Sequence, residues 1–165
     1  EGVQSAPLYA GLHLDSQAEA QLRASIDGVL SEELRQRVEA HLRDKKRRLH
    51  VTLWHVQRDS MAALSQLRAA EGRRVGIELC AVAADEVCVA VSVRVLPAED
   101  GQQVACYNEH PHITVWCQPG RAVHSNELLA QALGGGGGGE AAGAVALLDL
   151  PERTRVWGSV SLHYS

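Results

Sequence analysis

The chain has 165 residues, enough for one domain with a sizeable core and short for two. Its formal net charge of −4, with histidine neutral, excludes a globally basic nucleic-acid binder but leaves room for a local basic patch. No run approaches the ~20 apolar residues of a membrane-spanning helix, and the opening residues do not read as a signal peptide. The chain contains no Phe, so Val, Leu and Ala must supply the core. Cys80, Cys88, Cys106 and Cys117 form no CxxC pair and fall in predicted strands. They read as small buried hydrophobes in a reducing, intracellular compartment, nuclear or cytoplasmic.

In chain order, Leu8 to Leu14 reads as a first strand. Ser16 and Glu19 have capping-box spacing and should start a helix, with Leu22, Ile26 and Leu30 on one stripe and Gly28 near its end. Leu34, Val38 and Leu42 continue the spacing as a second helix capped by Ser31. Lys45-Lys46-Arg47-Arg48 follows. It suits a solvated helix end, where positive charge complements the dipole, and equally the phosphates of a polynucleotide. After a strand over 50–55, Ser60 should cap a short helix that buries Met61, Leu64 and Leu67. Val75, Ile77 and Leu79, then Val87, Val89, Val91, Val93 and Val95, alternate as an antiparallel hairpin around Ala83-Ala84-Asp85. Pro97 to Gln103 reads as a turn, followed by a short strand and a further strand over 112–117. Ser125 starts a helix through Leu133. Residues 134–143 form a Gly/Ala-rich, low-complexity loop expected to be flexible. Thr154 to Tyr164 supplies a last strand. The expectation is a single α+β domain over 1–165, bilobal, with largely antiparallel sheets flanking a central cleft. The start at Glu1 suggests a domain excised from a longer chain.

One pattern occurs twice. Residues 50–55 read His50-Val51-Thr52-Leu53-Trp54-His55, and residues 112–117 read His112-Ile113-Thr114-Val115-Trp116-Cys117, 62 residues further on. Side chains alternate between the faces of a strand, so His, Thr and Trp should share one face while the aliphatic residues take the core. On this register His55 leaves the opposite face from His50. A lone His-x-Thr carries little information, but two copies that match over five positions can present two imidazoles and two hydroxyls to one ligand.

That set suits hydrolysis of a cyclic phosphodiester. Water must attack phosphorus in line with the departing alkoxide, one group taking its proton while another protonates the leaving oxygen. Histidine suits both tasks because its ordinary pKa of ~6.5 leaves both forms available near neutrality. Thr52 and Thr114 are placed to donate to the non-bridging oxygens, where charge grows. Trp54 and Trp116 are candidates for stacking on a base or for filling the cleft floor. No metal, other cofactor or covalent intermediate is required. His110-Pro111-His112 has no nearby Cys or carboxylate to complete a zinc site.

His50-Val51-Thr52-Leu53 and His112-Ile113-Thr114-Val115 resemble the paired signatures of the two-histidine phosphoesterase superfamily. Asn108-Glu109-His110-Pro111-His112-Ile113-Thr114-Val115-Trp116, with Leu49 to Leu53 upstream and Ser125-Asn126 after it, resembles more narrowly the C-terminal cyclic phosphodiesterase domain of plant and green-algal tRNA ligases. The resemblance runs from about residue 49 to 133. It implies two motifs facing each other across a cleft, with His50, Thr52, His112 and Thr114 at catalytic positions; the domain is expected to be monomeric. It also implies hydrolysis of RNA 2′,3′-cyclic phosphate ends to a 3′-hydroxyl and a 2′-phosphate, preparing a tRNA exon for sealing. Trp54, Trp116, Lys45, Lys46, Arg47 and Arg48 are then the candidate substrate contacts. No phosphate-loop or ligase-type lysine motif is present, so kinase and sealing activities would lie in neighbouring domains of a parent chain. The alternatives are an enzyme for a small cyclic nucleotide or ADP-ribose cyclic phosphate, and a non-catalytic RNA-end-binding module.

Overall fold

The computed structural model describes residues 6–44, 48–121, 124–133 and 145–164. Lys45, Lys46 and Arg47, and the Gly/Ala-rich loop over 134–143, therefore lie outside the described residues. Strand β1 (Tyr9–Leu14) leads into helices α1 (Ser16–Asp27) and α2 (Glu32–Leu42). β2 (His50–His55) carries the first motif and is followed by α3 (Met61–Ala69). β3 (Arg74–Ala84) and β4 (Cys88–Ala98) form the long hairpin, and β5 (His112–Cys117) carries the second motif. α4 (His124–Leu133), β6 (Ala146–Asp149) and β7 (Arg155–His163) complete an α+β chain whose strand pairs are all antiparallel.

Of the four helix starts, those at Ser31 and Ser60 fall where the spacing puts them, and α4 opens at His124, one residue before Ser125. Ser31 and Ser60 accept through Oγ from the amides of Leu34 and Ala63, at 3.3 and 3.2 Å. At α1 the cap is one residue earlier than expected: Asp15 Oδ1 accepts from Ala18 N at 2.8 Å, and Ser16 is already helical. A carboxylate caps as well as a hydroxyl does and adds charge that favours the helix N-terminus. Met61 is not buried but 56% exposed, whereas Leu64 and Leu67 are buried. As the first residue of α3, Met61 leans back past the cap, away from the core under the next turn. The short strand expected before the second motif does not form. The segment over 102–111 runs beside β2 instead, with Tyr107 N donating to Leu53 O at 2.8 Å.

The strands neighbour one another in the order β4-β5-β2-β1-β7-β3-β6, and β4 also pairs with β3. Six of them therefore close into one hydrogen-bonded circuit, which leaves few open edges. β3 is 11 residues long. On one side it pairs first with β7 and then with β6, which the sequence reading missed; β4 runs along its other side. The valine alternation in β4 is real, but Cys88 to Val93 are buried on both faces. The main core covers one face, and Leu128 and Leu129 of α4 cover the other. Among the described residues, no helix is long and apolar enough to cross a membrane.

Candidate active site

The two motif strands are neighbours, and Val51 stands opposite Ile113. The same motif position thus pairs with itself, giving a local two-fold relation in which His50 runs towards Thr114 and Thr52 towards His112. The driving force is burial: Val51, Leu53, Ile113 and Val115 are all 0% exposed. Sinking that set into the core leaves the imidazoles and hydroxyls on the other face.

Both strands then break their alternation at the same place. The β1–β2 register passes from Gly11↔Thr52 to Ala10↔Trp54, and the β4–β5 register from Ala90↔Thr114 to Val89↔Trp116. Leu53 and Val115 are each the extra residue of a bulge. The consequence corrects two expectations. Neither indole lines the cleft: Trp54 is 0% exposed, its Nε1 donating to Ser60 O at 2.8 Å. Trp116 packs against the core with the Arg37 guanidinium 5.0 Å above its ring. His55, opposite Tyr9, returns to the sheet face of His50 rather than leaving the other one. It still stands outside the cleft, where its Nδ1 accepts from Gln57 N at 3.1 Å.

His50, Thr52, His112 and Thr114 line one cleft of about 560 Å³ on the surface of β5, β2, β1 and β7. Arg48 of the basic run also lines it. The wall contributed by β1 and β7 was not foreseen: Tyr9, His13, Ser161 and His163, with His41 from α2. Tyr9, Gly11 and His13, like Ser159, Ser161 and His163, alternate on one strand face. That pattern is readable, but it does not say which strands flank β2. The described lining holds five histidines and one arginine and no carboxylate.

The two motif histidines are held alike. Nδ1 of His50 lies 3.2 Å from Arg48 O, and Nδ1 of His112 lies 2.8 Å from His110 O. A carbonyl only accepts, so in each ring Nδ1 carries the proton and Nε2 is left for a ligand. Burial lowers the pKa of both, partly offset by those same carbonyls; positive charge on His163 lowers His50 further, and that on His50, Arg58 and His110 lowers His112. His13 is pushed from 6.5 to about 4, by burial first and then by His50, His163 and Arg48. Between those values the unfolded chain binds the extra proton, so stability is full above pH 6.5 and is lost as pH falls towards 4. His13 is only partly buried, so solvent screening tempers the loss, which is expected as a modest fall in Tm between those two values. Thermal melts across that window should show a falling Tm whose slope flattens in His13→Gln; a flat wild-type curve would contradict the burial of neutral imidazoles.

Gly11 makes room for this arrangement. A Cβ there would lie 2.8 Å from Val51 O, 3.3 Å from Tyr9 Cε2 and 3.5 Å from His50 Cδ2. The bare backbone lets Tyr9 lean along β1 onto His50, ring centroids 4.6 Å apart. Gly11→Ala is expected to cost about 1–3 kcal/mol, because the carbonyl it meets belongs to the sheet and cannot yield cheaply. The measurement is Tm together with the His50 ring resonances. Unchanged values in both would mean that the strands shift apart freely.

Helix α4 is bolted to the same sheet. Thr114 Oγ1 lies 2.8 Å from Ser125 Oγ, and Ser125, 0% exposed, donates to Cys88 Sγ at 3.7 Å. Thr52 has no comparable hydroxyl partner among the described residues. His124 Nε2 meets Asp85 Oδ2 at 2.6 Å. Asp85, Cys88 and His124 place ligand-type atoms within 4.8 Å of one another. However, Asp85 Oδ1 already accepts from the amides of Val87 and Cys88, and the Cys88 thiol is pushed up to about 11, mainly by burial. A protonated thiol is a poor metal ligand, so the trio is read as the tether of α4.

Fold and cleft together define a class: an antiparallel α+β domain that brings paired His-x-Thr strands to one carboxylate-free, imidazole-lined cleft. Over residues 3–163 the chain matches the model of the fungal tRNA ligase phosphodiesterase domain, and it belongs to that family. In fold it is similar to a solved structure described as "Crystal Structure of Fungal RNA Kinase", with a TM-score of 0.75 at 15% identity. The likeness covers 100% of this chain and 47% of that one, so the chain spans about half the length of its structural relative. No curated protein matches it in sequence.

Proposed function

We propose that the cleft hydrolyses 2′,3′-cyclic phosphate ends of RNA to a 3′-hydroxyl and a 2′-phosphate, without a metal, in the manner of a two-histidine phosphoesterase. The observation that carries this reading is the matched pair His50 and His112, each with Nδ1 spent on a carbonyl and Nε2 left for the ligand. One Nε2 takes a proton from the attacking water. As the P–O3′ bond breaks, the other gives a proton to O3′. Thr52 and Thr114 donate to the non-bridging oxygens. A lining with no carboxylate suits an anionic substrate. Arg48, with Lys45, Lys46 and Arg47 beside it in sequence, extends the contact along the polynucleotide.

In this reading the two halves of the strand circuit act as lobes, each bringing one motif to the cleft. The motif residues favour the plant and green-algal form of the domain within a family described for fungal ligases. The kinase and sealing activities belong to other parts of a parent ligase, and the substrate is a tRNA exon end.

The test is incubation of the protein, with a chelator present, with RNA ending in a 2′,3′-cyclic phosphate, followed by location of the phosphate in the product. A 2′-phosphate is expected. A 3′-phosphate would mean that the other bond breaks. Binding without turnover would make the cleft an RNA-end-binding module, and turnover confined to small cyclic phosphates would remove RNA as the substrate.

A further inference from the structure

The motif pair occupies only half of the cleft floor. Strands lie about 4.8 Å apart, so β5, β2, β1 and β7 span about 14 Å. The two His-x-Thr motifs account for β5 and β2 alone. On the remaining half, Tyr9, His13 and His163 converge above Gly11. Tyr9 stacks on His50 at 4.6 Å and on His163 at 4.8 Å between ring centroids. His13 lies 5.4 Å from His50 and 6.4 Å from His163. β1 runs between β2 and β7, so the two stacked imidazoles cover Tyr9 from its two sides.

This geometry discriminates between ligands. A ring covered on both sides offers no face to a nucleobase; it offers its edge, with the phenol hydroxyl. Burial raises the Tyr9 pKa, so that hydroxyl remains a donor. Nε2 of His13 is buried and has no hydrogen-bond partner, a costly state for a polar atom that a ligand can relieve. The imidazoles around it disfavour one another's protonation, and Arg48 adds positive charge. With no carboxylate in the lining, an anion is the ligand that relieves both the unpaired nitrogen and the mutual repulsion.

We propose that the β1–β7 half of the cleft is a second anion subsite, in which Tyr9, His13 and His163 take the phosphodiester joining the terminal nucleotide to the rest of the RNA. The assignment rests on the cyclic phosphate lying between His50 and His112. It makes the preferred substrate a dinucleotide or longer, and makes the contact one of charge rather than base identity.

The test compares three substrates that end in a 2′,3′-cyclic phosphate: a nucleoside, a dinucleotide with an ordinary linkage, and the same dinucleotide with an uncharged methylphosphonate linkage. In the wild-type protein the ordinary dinucleotide should exceed the other two in kcat/KM by about tenfold or more, the scale of charge-assisted hydrogen bonds. Tyr9→Phe, which keeps the ring stack, should shrink that ratio, and His163→Asn should bring it towards one. An equal preference for the methylphosphonate dinucleotide would overturn the proposal in favour of base contacts. Equal kcat/KM for all three would overturn it outright. Calorimetric affinities for the matching 2′-phosphate-ended dinucleotides, charged and uncharged, read the subsite without turnover. Absent hydrolysis with a charge-dependent affinity would therefore count against the reaction and for the subsite; equal affinities would count against the subsite.

Discussion

His50→Ala and His112→Ala are each expected to lower turnover of an RNA 2′,3′-cyclic phosphate end by about 10²-fold or more, the scale of losing a general acid or base. In the proposed mechanism the two imidazoles act on opposite ends of one displacement, so the double substitution should cost much less than the product of the singles. Burial lowers the pKa of both rings, so the bell-shaped profile of kcat/KM should be centred on the acid side of neutrality. That profile also assigns the roles. Removing the base abolishes the limb that rises with pH, and removing the acid abolishes the limb that falls. His55→Ala is the control: its ring stands outside the cleft and should leave kcat/KM close to wild type. Wild-type turnover in either motif variant would end the two-histidine reading.

Thr52→Ala and Thr114→Ala are expected to lower kcat by about 10²-fold, as loss of a donor to developing negative charge does elsewhere. The two are not equivalent, because Thr114 is tied to Ser125 and through it to Cys88. When Ser125 donates to Cys88, Thr114 must donate to Ser125, and no proton is left for the phosphate. The Cys88 thiol, pushed up to about 11, keeps its proton at neutral pH. It can donate back to Ser125, Ser125 to Thr114, and Thr114 to the phosphate. Ser125→Ala breaks that chain and is expected to cost about tenfold in kcat, the scale of one hydrogen bond. Thr114→Ala/Ser125→Ala should be no worse than Thr114→Ala alone, since the serine acts only through the threonine. Additive losses, or a loss that tracks Tm across the set, would make Ser125 a packing residue and nothing more.

The indoles illustrate where a strand pattern misleads. Period-two alternation puts Trp54 and Trp116 beside the histidines, and over the first four residues of each motif that alternation holds. It fails one step later because Leu53 and Val115 bulge. A bulge arises from the count of residues on the partner strand, here β1 and β4, and from what else seeks its backbone, as Tyr107 N seeks Leu53 O. The caps at Ser31 and Ser60 were legible because a cap is settled within four residues. At α1 two capping residues, Asp15 and Ser16, stand side by side, and the structure uses the earlier one.

Local chemistry that repeats in the sequence was therefore readable from it alone: two His-x-Thr strands, their apolar positions bound for a core, and an α+β order of elements. The apolar residues between His and Thr leave only one face on which those side chains can stand, whatever lies beyond the strand. Only the tertiary structure decided which strands lie beside the motifs, and hence that Tyr9, His13 and His163 join the cleft and that α4 reaches Thr114 through Ser125. Those partners come from segments up to 154 residues apart, Tyr9 and His163 at the two ends of the chain. Antiparallel pairing of β1 with β7 brings them together. The lowered pKa values follow from the same cause: burial and crowding of like charges are properties of the assembled cleft, and no single strand carries them.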